Sequence, residues 1–134
     1  MWKKFMSSIG LGNIMVDTIL DHKQYRRGES MNGIVHIKGG AAEQVIDEIV
    51  LTLVLKYEQD REDSDFSYHE KTLHEIILKD IHHVDSNEYC SIPFSIDILD
   101  NHPITEKGVE TILRTKIIVP QAVDPEDEDQ VIIV

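Results

Sequence analysis

Residues 25–40 read Tyr-Arg-Arg-Gly-Glu-Ser-Met-Asn-Gly-Ile-Val-His-Ile-Lys-Gly-Gly, and this stretch decides the fold. It predicts a turn, a strand and a second turn. Gly28 and Gly33 stand where the chain needs backbone freedom. Val35 and Ile37 take one face of an extended segment, and His36 and Lys38 take the other. Gly39-Gly40 ends it. The stretch contains no nucleophile, phosphate cradle or metal-ligand spacing.

The same period of two runs outward in both directions. Met15 and Val16 lead a strand that ends near Asp21. Residues 46–58 predict the longest strand, with Ile49, Leu51, Leu53, Leu55 and Tyr57 on one face and Val50, Thr52, Val54 and Lys56 on the other. A run apolar on both faces fits a central strand. A buried helix is the competing reading of this Leu-rich run, but the Ile and Val content favours a strand. Residues 58–65 form a charged hairpin tip, and 66–79 return as a strand. In 88–99 the alternation is clean: Ile92, Phe94, Ile96 and Ile98 point inward, and Ser91, Ser95 and Asp97 outward. Pro93 marks this as an edge strand or a bulge. Residues 100–103 turn, and 109–119 place Val109, Leu113, Ile117 and Val119 together. Pro120 then breaks the strand. An acidic turn leads into a last short strand at 130–134. Strands separated by polar turns predict an all-β fold, an antiparallel, immunoglobulin-like β-sandwich over residues 13–134.

Residues 1–12 follow a different period. Trp2, Phe5, Met6 and Ile9 recur at i, i+3, i+4 and i+7, which predicts a short N-terminal amphipathic helix ended by Gly10 or Gly12. A helix this short needs a surface to pack on. The open end of its own domain is the first choice, and a membrane surface or a second copy of the chain is the alternative.

The 134 residues fit one domain with a core of its own. Thirteen Lys plus Arg against twenty-five Asp plus Glu leave a formal charge of −12. That balance excludes nucleic acid as the natural partner, because affinity for phosphates comes from cations. It also disfavours anionic membranes and favours solubility or a basic protein partner. No apolar run is long enough to span a bilayer, so no transmembrane segment is expected. The stretch before Asn13 lacks the uniform apolar core of a secretory signal. One cysteine, Cys90, forms no internal disulfide, so a cytoplasmic location is expected.

The ordered motifs resemble a known family. Ile9-Gly10-Leu11-Gly12 leads to Val16-Asp17-Thr18, and Tyr25-x-x-Gly28-Glu29 to Gly33-x-Val35-x-Ile37-x-Gly39-Gly40. Gln44-x-Ile46-Asp47 enters the long strand, which ends at Lys56-Tyr57. Ile92-Pro93-Phe94-Ser95 and Ala122-Val123-Asp124-Pro125-x-Asp127-x-Asp129 follow. This series, spread over almost the whole chain, resembles the sporulation-control family typified by stage-zero sporulation protein M. The resemblance implies an arrestin-like fold, with this chain as the N-terminal of two β-sandwich lobes. It implies a non-enzymatic regulatory or scaffold role in bacterial sporulation or cell-cycle control, with protein partners and no catalytic residues. Family members usually continue into a second lobe, whereas this sequence stops at Val134, as either a truncated form or a short variant, and that departure leaves a function needing both lobes open.

Seven histidines raise the question of metal. Adjacent His82 and His83 point to opposite faces of a strand, as do His69 and His74 at their odd spacing. With Cys90 the only thiol, no closed zinc pattern exists. The histidines read as strand and turn residues, and no metal or cofactor is expected. Asp124, Glu126, Asp127, Glu128 and Asp129 form the densest anionic patch. Residues 124–129 read as a solvated turn; the alternative is a calcium- or small-ligand-binding turn, though the glycine of an EF-hand is missing. Asp97 and Asp100 give no sign of a shared cleft, and Ser7, Ser8 and Ser95 lack an activating context. No catalytic residue is expected. The expected contacts are Trp2, Phe5, Met6 and Ile9, with exposed strand edges as a second means of binding a protein or a second copy.

Overall fold

The computed structural model describes residues 13–59, 67–120 and 122–134. Strands β1 (Met15–Leu20), β2 (Gln24–Tyr25), β3 (Ser30–Lys38), β4 (Gln44–Val45) and β5 (Glu48–Gln59) are followed by β6 (Ser67–Leu78), β7 (His83–Val84), β8 (Tyr89–Asp97), β9 (Val109–Ile118) and β10 (Glu126–Ile133). They build a three-stranded sheet in the order β1-β3-β8 and a five-stranded sheet in the order β2-β10-β9-β5-β6. A two-stranded ribbon, β4-β7, is separate from both.

Alternation places the core. Val16, Val35, Ile37, Ile92 and Ile96 from the small sheet join Ile49, Leu51, Leu53, Leu113, Ile117 and Val131 from the large one in a single buried cluster. Each large aliphatic side chain buried in this way contributes roughly 1.5–3 kcal/mol. β5 lies between β9 and β6 as a central strand. β8 is an edge strand, and its Pro93 stands opposite Ile34 of β3. Pro93 therefore sits where a missing N–H is tolerated. Gly33 does not break the chain. It lies inside β3, where an added Cβ would stand 2.6 Å from the Ile19 carbonyl oxygen and 2.8 Å from the Phe94 ring. Gly28, with φ at 82°, does turn the chain.

The inward face of β9 also holds Thr111 and Thr115, both fully buried. Their hydroxyls are paired: Thr115 Oγ1 lies 2.6 Å from Thr18 Oγ1, and Thr111 Oγ1 lies 2.8 Å from His102 Nε2. A buried hydroxyl without such a partner would cost free energy.

The expected fold needs correction at two points. The described residues contain strands and no helix, so the short N-terminal helix is not part of the observed fold. Residues 1–12, where it was expected, lie outside the described residues. The sandwich is also not wholly antiparallel, because β2 runs parallel to β10. After β1 the chain leaves the small sheet within a few residues and joins the edge of the large one. The backbone contacts of this crossing are Ile132 N–H to Lys23 O at 3.0 Å and Val134 N–H to Tyr25 O at 2.9 Å.

Leu113→Ala lowers unfolding stability in urea by about 2–5 kcal/mol, whereas Val123→Ala, at a side chain 87% exposed, changes it by less than about 0.5 kcal/mol. Equal losses contradict the assigned core. His102 is 1% exposed, and burial, aided by the charge of Arg27, holds its pKa below the usual imidazole value. The neutral ring is thus favoured in the folded state. Its stabilisation is complete above the unfolded value of about 6.5 and is lost as pH falls from there through the depressed folded value. The urea midpoint falls as pH drops below about 6.5, and His102→Gln flattens that fall; an unchanged slope contradicts the assignment.

Candidate interaction surfaces

The acidic segment forms the first half of β10 rather than a turn. Residues 126–129 pair with β9, and strand alternation divides them. Asp127 and Asp129 stand opposite Thr115 and Leu113, while Glu126 and Glu128 stand opposite Lys116 and Arg114. Asp127 Oδ2 accepts the Thr18 N–H at 2.8 Å, so a carboxylate of the large sheet closes the edge of β1. Asp124 Oδ1 accepts the Val119 N–H at 2.8 Å. The carboxylates face different ways, so the loop that the calcium reading needs is not formed.

On the outer face Arg114 ties three strands together. Its Nε donates to Glu128 at 2.5 Å, and its two terminal nitrogens donate to Glu70 at 3.2 Å each. Lys56 Nζ adds contacts of 3.8 Å to Glu70 and 3.9 Å to Glu128. The hydrogen bond from Arg114 holds the Glu70 carboxyl below the usual range, and Glu70 in turn pushes the Arg114 guanidinium up. Such exposed networks stabilise modestly and lose strength in salt.

The outer face of the small sheet is different. Ile19, Ile34 and Pro93 stand side by side across its three strands, with Ile19 43% and Ile34 39% exposed. A groove of about 390 Å³ runs beside β1, lined by Ile19, Leu20, Lys23 and Ile132 among others. A second, of about 260 Å³, is lined by Ile19, Leu20, Asn32 and Ile34. The neighbouring row holds Asp17, His36 and Ser91, with His36 Nδ1 3.0 Å from Ser91 Oγ. Ser91 lies within a strand rather than on the sharp turn that presents a nucleophile. Burial pushes the Cys90 thiol up, which lowers its reactivity.

The β4-β7 ribbon brings distant residues together. Val45 pairs with His83 and Gln44 with Val84, so Glu43 comes opposite Asp85. Donor atoms of Glu43, His83 and Asp85 lie within 4.8 Å of one another. A hydrogen bond to Asp85 raises the Glu43 carboxyl, and repulsion between the two adds to the shift. Gly39 permits this packing, since a Cβ there would sit 2.0 Å from the Asp85 carbonyl oxygen. From sequence, Gly39-Gly40 reads as a strand end and His82-His83 as adjacent strand histidines facing opposite ways; the glycine pair was the available signal. Trp2, Phe5, Met6 and Ile9 lie outside the described residues.

The family described as SpoOM protein matches residues 2–134. The chain belongs to the Spo0M family. Sporulation-control protein spo0M of Bacillus subtilis (strain 168) is 31% identical over 134 aligned residues, which cover 98% of this chain and 51% of that protein. The crystal structure of Spo0M, sporulation control protein, from Bacillus subtilis matches with a TM-score of 0.82 and 28% identity, over 92% of this chain and 50% of that one. This Spo0M-family chain thus spans about half the length of the relatives it matches. The family resemblance read from the ordered motifs is therefore established.

Replacing the β1 edge cap tests the role of the acidic strand. Asp127→Ala lowers urea stability by about 1–2 kcal/mol, and Glu126→Ala changes it by less than about 0.5 kcal/mol. Equal effects contradict the inward assignment of Asp127.

Proposed function

We propose that this domain is a non-catalytic regulatory module of sporulation control, acting in the cytoplasm by binding other proteins. Membership in the Spo0M family supports the sporulation role. The observation that carries protein binding is the row of Ile19, Ile34 and Pro93 across the small sheet, with a groove beside Ile19 on each side. Exposed apolar side chains grouped in this way bind through burial, and the nearby exposed Lys23 adds polar selectivity. β6 and β8, the outermost strands of their sheets among the described residues, offer strand addition as a second mode. Trp2, Phe5, Met6 and Ile9 are a further apolar set for a partner or a second copy. The net charge of −12 favours a partner with a basic face.

The test is Ile34→Asp in the native gene of the host. The variant protein accumulates and keeps its strand-type dichroism, yet the sporulation frequency shifts in the direction caused by deleting the gene. A wild-type frequency at equal protein level contradicts the surface. Deletion of residues 1–10 with unchanged sedimentation and unchanged sporulation removes Trp2, Phe5, Met6 and Ile9 from the reading.

A further inference from the structure

We propose that the β4-β7 ribbon carries a binding site for a divalent transition metal, with zinc as its ion and Glu43, His83 and Asp85 as its protein ligands. The site stands apart from the apolar row and does not rest on the sporulation reading.

Alternation directs the three side chains. Val84, between His83 and Asp85, is fully buried, and Ile46, directly after β4, is 1% exposed. Both belong to the core cluster. With those side chains turned inward, His83 and Asp85 emerge on the opposite face, and Glu43 and Val45 do the same across the ribbon. All three ligand residues are exposed, and their donor atoms lie within 4.8 Å of one another. His83 Nε2 and Asp85 Oδ1 are 3.8 Å apart. Two donors held about 2.0–2.2 Å from one ion stand roughly 3–4 Å apart, so small side-chain rotations close the set.

The backbone beneath is fixed before any ion arrives. Ile46 N–H donates to the His82 carbonyl at 2.7 Å, which continues the ladder that sets Glu43 opposite Asp85. Asp85 N–H donates to Glu88 Oε1 at 2.8 Å, and Ser86 Oγ donates to the Ala41 carbonyl at 2.9 Å. Ligands on a rigid frame lose little freedom on binding.

Ligand chemistry selects the ion. Two carboxylates balance a divalent charge, and a neutral imidazole completes a mixed oxygen and nitrogen set. Calcium takes six to eight oxygens, and magnesium keeps its waters. Imidazole with carboxylate suits zinc and its neighbours, with water filling the open position.

Isothermal titration of the full chain with zinc chloride tests this. One saturable site is expected, and His83→Gln and Glu43→Gln each weaken it by more than about tenfold, since even the outer partners of metal ligands are worth roughly 10–100-fold. His22→Gln leaves it unchanged. In the wild-type chain zinc perturbs the His83 ring resonances before those of His22, His69 and His74, a readout that does not depend on any variant folding. Absence of saturable binding up to about 1 mM zinc, unchanged affinity in either ligand variant, or first perturbation of another histidine overturns the proposal.

Discussion

The structure depends on the inward side chains of β5 and β9. Ile49, Leu51 and Leu53 from one strand and Leu113 and Ile117 from the other are almost wholly removed from water against the small sheet. Because side chains alternate, burying these residues sets the facing of everything between them. A one-residue slip would send all five to solvent. The same rule turns Thr52, Lys56 and Arg114 outward and leaves Thr111 and Thr115 inside, where they must find hydroxyl and imidazole partners. The core is therefore apolar at its centre and hydrogen-bonded along one side, where Thr18, Thr115 and Asp127 meet.

Much of this is legible in the sequence. β8 was readable because apolar and polar residues alternate in it and Pro93 marked it as an edge, and β5 because its long run, apolar on both faces, is rich in Ile and Val. The first half of β10 was not, because Glu126 to Asp129 are uniformly acidic. A pattern with one residue class shows no period, and carboxylates are poor strand formers. What holds them extended is pairing with Lys116, Thr115, Arg114 and Leu113, a tertiary fact. The hairpin partner of β5 was visible, but the parallel joining of β2 to β10 links opposite ends of the chain and leaves no local trace. The ribbon escaped for the opposite reason: two residues per strand are too few to display alternation.

The surfaces divide by chemistry. On the outer face of the large sheet Arg114 and Lys56 pair with Glu70 and Glu128. The outer face of the small sheet leaves isoleucines in water. Between the sheets, the Asp127 cap occupies a backbone donor of β1, one of the ways an edge strand is kept from pairing with a foreign one. The fold thus blocks one edge with its acidic strand and leaves an apolar face open beside it.

Residue-resolved amide hydrogen exchange tests this account most directly, because it reads pairing strand by strand. The account predicts that the interior amides of β5 and β9 exchange only with global unfolding, and that amides of residues 126–131 bonded to β9 are protected as parts of a strand. Exchange of residues 126–129 at the rate of an unstructured loop would contradict it.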